Sequence, residues 1–240
     1  MAIVVATLAA PRACPAQEAQ ASYPSHGYVG VADLSLPSYP GASSRRQYLL
    51  PVGEIWFSEC GFASAIDGVG ANVYRDEALR IAASVVPDLD ERHQAAAGAT
   101  AVDRAIRARL FARLVQGPFS LGASLAQDLS GHRGGLLGDI DVSLTRALQS
   151  DTDLKLGAGS AFGDGTYNRT WFGTPDAARS TPGAGIVTFR VHLGLVHRFD
   201  AHWFASVDIV EARLAGRVAA SPAVEQARQP MTSVVLGRRF

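Results

Sequence analysis

Residues 105–114 read AIRARLFARL, and the order of charges in this stretch decides the fold. On a strand, Ile106, Ala108, Leu110, Ala112 and Leu114 share one face, while Arg107, Arg109, Phe111 and Arg113 share the other. A helix would scatter the three arginines around its circumference. The period is therefore two, and one face is greasy where the other is charged.

The same period runs outward in both directions. In FSLGASLAQD (119–128), Phe119, Leu121, Ala123 and Leu125 oppose Ser120, Gly122, Ser124 and Ala126. In LLGDIDVSLT (136–145), Leu136, Ile140, Val142 and Leu144 oppose Leu137, Asp139, Asp141, Ser143 and Thr145. In VTFRVHLGLVHRF (187–199), Val187, Phe189, Val191, Leu193, Leu195 and Phe199 oppose Thr188, Arg190, His192, Gly194 and Arg198. In a soluble sandwich the greasy faces would meet in a core; in a membrane barrel they face lipid and the polar faces line the interior.

The junctions favour the barrel. LVQGPFSL, LQSDTDLKL and HRFDAHWFA are tight turns, two of them flanked by Phe119 or by Phe199, Trp203 and Phe204. Aromatics at strand ends form the girdle of a membrane interface. The alternate junctions are longer, as in DLDERHQAAAGATA and GTPDAARSTPGAG, and this asymmetry marks an outer-membrane barrel. The pattern predicts an all-β, antiparallel, up-and-down barrel of twelve strands, near 27–36, 46–57, 60–67, 68–75, 78–89, 102–116, 118–130, 134–147, 152–168, 184–198, 202–214 and 231–240. Two long strands in place of the third to fifth, together with the merging of one more, would lower the count to ten. An even number puts both termini on the periplasmic side. In the last segment, MTSVVLGRRF, Thr232, Val234, Leu236, Arg238 and Phe240 share a face, so the chain ends on a strand that pairs back onto the first. Leu236 and Phe240 are read as the C-terminal signal recognised by the barrel insertion machinery, although Arg238 stands where such signals usually carry Tyr.

Composition bounds what else the chain can be. It has 240 residues with 22 basic and 22 acidic side chains, and this zero balance speaks against nucleic acid as a partner. An apolar stretch from Ile3 to Ala10, Pro11 and the Ala19-Gln20-Ala21 ending read as a secretory signal over residues 1–21. No Lys or Arg precedes the apolar stretch, so the true start of the signal is expected upstream of Met1. Residues 22–240 form a single barrel domain. Removal of the signal would take Cys14 with it and leave Cys60 alone.

Several stretches in one order resemble the MltA-interacting protein family, also called MipA/OmpV. They are PSYPGA with Pro37, Tyr39, Pro40 and Gly41, then LLPVGEIWF, DGVGANVYRDEALRIAASV, GPFSLGASLAQDLSGHRGGLLGDIDVSL, YNRTWFG and SPAVEQ, before the strand ending in Phe240. The resemblance covers residues 27 to 240. It implies an outer-membrane barrel in contact with lipid, and a scaffold that joins a lytic transglycosylase to a murein synthase. Porin-like behaviour linked to osmotic or antibiotic response is the alternative it implies. It carries over no catalytic residue.

The residues themselves also point away from an enzyme. His26, His93, His132, His192, His197 and His202 are scattered, and only His192, near Arg190 and with Ser206 on the following strand, suggests a hydrolytic site. SGHRGGLLGD lacks the Gly-Lys-Ser/Thr ending of a phosphate loop, and FGDGTYN lacks the carboxylate spacing of a calcium loop. No cofactor and no metal are expected. The sharp feature is the interior: Arg107, Arg109, Arg113, Asp139, Asp141 and Arg190 are expected to line the lumen, with the arginine row facing the two aspartates. Such groups either tune an open pore or interlock and plug it.

Overall fold

The computed structural model describes residues 26–57, 60–88, 90–92, 101–131, 134–174 and 182–240. The expected signal segment, His93, His132 and Arg133 lie outside them. Twelve strands close into one antiparallel barrel: β1 (His26–Pro37), β2 (Arg45–Trp56), β3 (Gly61–Ser64), β4 (Gly68–Arg75), β5 (Leu79–Pro87), β6 (Ile106–Gln116), β7 (Phe119–Asp128), β8 (Leu136–Gln149), β9 (Thr152–Gly163), β10 (Gly185–Arg198), β11 (Trp203–Leu214) and β12 (Arg228–Arg239). Each strand pairs with its sequence neighbours, and β12 pairs with β1 from Tyr28↔Arg239 to Ser35↔Thr232. Phe240 finishes the seam, its N–H donating to the Gly27 carbonyl at 3.1 Å. Closure leaves no free edge at that seam.

The alternation sorts the side chains as the arginine row requires. Ile106, Leu110 and Leu114 are exposed on the outer wall while Phe111 and Arg107 are buried inside. Phe57, Phe119, Phe199, Trp203 and Phe240 are exposed at the end that carries the short turns, the start of β1 and the end of β12. Phe162 and Phe189 are exposed near the end that carries the longer connections. From Phe189 to Phe199 the rise is about 25 Å for strands tilted about 40°, which matches the apolar band of a membrane barrel.

Several places depart from the expected strand pattern, among them the third strand, which ends at Ser64 rather than 67. β9 stops at Gly163 rather than running to 168, because the Asp164 carboxylate accepts from the Tyr167 N–H at 2.6 Å and caps a helix, α1 (Gly165–Phe172). β6 begins at Ile106 rather than 102, since Val102 is drawn into a bridge with Arg92. β12 begins at Arg228, where Glu211 holds the Arg228 guanidinium across the ladder at 2.6 Å. Val187 is buried inside instead of facing out, because a bulge between Ile186 and Thr188 shifts the register of β10 against β9 by one residue. Cys60, expected to stand alone, is disulfide-bonded.

Candidate functional site: a plugged lumen

The interior is organised in three sectors. At the loop end the connections fold inward rather than standing above the rim. Tyr39, Val102, Tyr167, Trp171, Phe172, Val187, Leu214 and Val218 pack into one buried apolar cluster. Its backbone is tied down by polar side chains that are themselves buried. The Arg92 guanidinium donates to the carbonyls of Trp171 at 2.6 Å and Thr170 at 2.9 Å. Ser221 Oγ donates to the Phe172 carbonyl, and Gln229 accepts from the Gly41 N–H at 3.1 Å and donates to the Ala42 carbonyl at 3.1 Å. Gly41 has φ +94, and a Cβ there would crowd Val224, so the Tyr39-Pro40-Gly41 turn needs its glycine to fold under α2 (Gly216–Ala219) and the segment that follows it. Tyr39 reaches the same segment through its hydroxyl, which donates to Glu225 at 2.7 Å.

Asp90 lies where this plug meets the wall. Burial, and after it the negative charge of Asp88, push its carboxyl up to about 7, against the pull of Arg107 and Arg46. Tyr167 is raised for the same reason, burial first and Asp90 second. A carboxyl raised from about 4 to about 7 binds a proton in the folded state that the unfolded chain releases, so its contribution is fullest below about pH 4 and is lost as pH rises through about 7. Asp90→Asn is therefore expected to flatten the pH dependence of stability between pH 5 and 8 and to stabilise the protein most at the alkaline end. The midpoint of the heat-dependent gel shift, measured at both pH values, checks this; an unchanged slope would show that Asp90 titrates elsewhere.

The second sector, on β2 to β6, is an aromatic stack. Trp56, Phe62, Ala82 and Phe111 form a buried cluster, and the Arg80 guanidinium sits 4.4 Å from the Trp56 and Phe62 ring centroids. Arg80 also donates to Asn72 Oδ1 at 2.9 Å and lies 3.6 Å from Asp67. The third sector, on β8 to β10, is ionic. Arg190 forks onto Asp139 at 2.5 and 2.8 Å and reaches Asp141 at 3.2 Å, while His192 Nε2 lies 3.1 Å from Asp141. Gly157 on β9 makes room for this, because a Cβ there would overlap the His192 ring.

The register brings the expected lumen residues to the inner face but pairs them differently. Arg107 binds Asp88 at 2.7 Å and Arg109 binds Asp67 at 3.0 Å, so the arginine row is neutralised by carboxylates from the connections and not by Asp139 and Asp141. Arg113 pairs in register with Gly122 and Arg80 near the turn end and stays exposed. Asp67 and Asp88 were expected at the ends of the third and fifth strands, but those strands stop at Ser64 and Pro87 and leave both carboxylates in connections, where Arg92 also lies and where period two assigns no face. Ser206 lies opposite Val196 and His192 opposite Val210, so these two do not face each other across the β10–β11 ladder. Leu236 and Phe240 point outward and are exposed.

A closed barrel with a lipid-facing apolar band, aromatic girdles and connections folded inward at one end defines an outer-membrane β-barrel protein. Residues 29–240 match the family described as MltA-interacting protein MipA, and the chain belongs to that family. No curated protein matches the sequence. Among solved structures it is similar to the KdgM porin (10% identity, 89% of this chain and 99% of that one, TM-score 0.45). It is similar also to an outer membrane channel from Pseudomonas putida F1 (12% identity, 90% and 95%, TM-score 0.43). A third is a loop-deletion mutant of OmpT from Vibrio cholerae (8% identity, 90% and 98%, TM-score 0.40).

Proposed function

We propose that this protein is a non-conducting, non-enzymatic scaffold of the outer membrane, whose short-turn end and termini face the periplasm and engage the machinery that cuts and builds murein. The observation that carries this reading is the loop-end plug: aromatic side chains buried to the level of Trp171 and Phe172 leave the connections no role as a pore mouth. The description of the family as MltA-interacting supports a partner among murein enzymes, a lytic transglycosylase held near a murein synthase. In this reading residues 1–21 are a signal segment, and Leu236 and Phe240 are the outward-facing signal for the insertion machinery. The test is cross-linking in intact envelopes followed by recovery of the tagged barrel. Recovery of a lytic transglycosylase is expected; recovery of outer-membrane proteins alone would count against the scaffold.

A porin-like channel is the second reading, favoured by the exposed Lys155, whose charge acts on Asp208 across the β9–β11 side of the lumen. It requires stepwise currents from the folded wild-type chain. Replacing Arg107 and Arg109 by Glu removes both ion pairs and leaves new carboxylates beside Asp88 and Asp67, so in this reading the ion preference reverses toward cations.

A further inference from the structure

Among the described residues the wall of the barrel is lower on one side. β3 has four residues, which at the same tilt rise only about 10 Å, less than half of the apolar band. It pairs with β2 only at Glu54, Ile55 and Trp56, and the last rung is the Ala65 N–H donating to the Gly53 carbonyl at 2.9 Å. Above that rung β2 continues for eight residues, Arg45 to Val52, paired on its other side with β1 alone. The backbone groups of β2 that point toward the gap alternate with those that bond β1, so Gly53 fixes the parity: Pro51, Leu49 and Gln47 present theirs to the gap. Among the described residues nothing pairs with them. Proline at the middle of this edge fits, since it has no N–H to leave unpaired.

This gap lies at membrane depth. Counting up β2 from the girdle residue Phe57, Gly53 stands about 10 Å and Leu49 about 20 Å into the apolar band. Leu49 is 75% exposed and Ile66, at the tip of the β3–β4 turn, is 71% exposed. The loop that follows β5 reaches β2 only higher up, through the Arg46–Glu91 ion pair at 2.6 Å.

On the β1–β2 side of the gap the inner wall is apolar, unlike the ionic wall of β8 to β10, while the hairpin side carries Asp67 paired with Arg109 and Arg80. Register places Leu50 opposite Ala32, Ala32 opposite Val235, and Leu34 beside them on the same inner face. Val52 lies one step nearer the turns, opposite Gly30. A wall that faced only water would gain nothing from such residues. Leu49, on the opposite face of the same strand, is exposed on the lipid side.

We propose that the opening between β2 and the β3–β4 hairpin admits an acyl chain of the surrounding membrane lipid, which lies against Leu34, Leu50 and Val52 inside the barrel. This inference rests on the membrane placement and not on the scaffold reading. The experiment uses the full chain folded into vesicles of phosphatidylcholine brominated in mid-chain, with folding verified by the heat-dependent gel shift. Three variants each add one tryptophan: Leu49→Trp on the outer face, Leu50→Trp on the inner face by the gap, and Gly122→Trp on the inner face of β7, where a Cβ would meet only the Asp141 carbonyl oxygen, at 3.9 Å. The added emission at position 50 is expected to be lost to bromine nearly as fully as that at 49, and that at 122 to be retained. Equal retention at 50 and 122 would overturn the proposal. Should Leu50→Trp fail to fold, Tyr48→Trp on the same inner face replaces it with the same two outcomes.

Discussion

Replacing Trp171 and Phe172 together by Ala is expected to convert a silent barrel into one that passes stepwise currents in a planar bilayer. α1 is eight residues long and has little stability of its own, since isolated helices below about 12 residues are marginal. It is held by those two buried rings, by the Arg92 bonds to its last carbonyls, and by Ser221. Truncating a buried aromatic to Ala costs about 3–5 kcal/mol, so the double change exceeds what the remaining bonds of one short helix can offset. The strands are untouched, and their ladders keep the barrel closed. Currents that are absent from both wild type and variant would place the block elsewhere, in the aromatic stack around Arg80. Currents already present in the wild type would favour the channel reading.

Arg190→Ala is the second large effect. Two carboxylates, Asp139 and Asp141, share this guanidinium, and both are partly shielded from water by the wall they stand on. Removing one partner of a buried pair leaves uncompensated charge and costs about 3–5 kcal/mol; partial exposure here lowers the expectation to about 2 kcal/mol. Arg190→Lys should recover less than half of the loss, because an ammonium cannot reproduce the two-pronged contact with Asp139. The double change Arg190→Met with Asp139→Leu should lie closer to the wild type than Arg190→Ala does. Urea unfolding from vesicles, followed by the gel shift, gives the order of the three variants. Equal stability of all of them would mean that water already solvates this cluster.

How far the sequence reveals this molecule depends on which interaction sets each feature. Strand positions were legible because lipid outside and a polar interior impose period two on every spanning segment, and AIRARLFARL states that period without ambiguity. The inner placement of Arg107, Arg109, Asp139, Asp141 and Arg190 follows from the same parity. Their partners do not, because Asp67, Asp88 and Glu91 sit in connections whose course is fixed by tertiary packing. The bulge that turns Val187 inward shows the limit of parity itself: one extra residue in β10 inverts every assignment before it. Two signals were present and unused. Asp164, three residues before Tyr167, is a helix cap of the ordinary kind, and Pro51 inside an otherwise regular strand marks an edge.

The seam between β1 and β12 has a consequence for the life of the chain before it reaches its membrane. The first strand finds its second neighbour only when the last residues, up to the Phe240 N–H bonded to Gly27, have been made. Until then both end strands are open templates for pairing with any other extended chain. Joining them closes a ring of about two hundred residues, and the entropy lost in that closure is regained only when the whole cylinder forms. No shortened product can therefore be a smaller version of this protein. A ribosome that stops early, or a protease that trims the last few residues, yields an open sheet, and the cell is left to hold or destroy it.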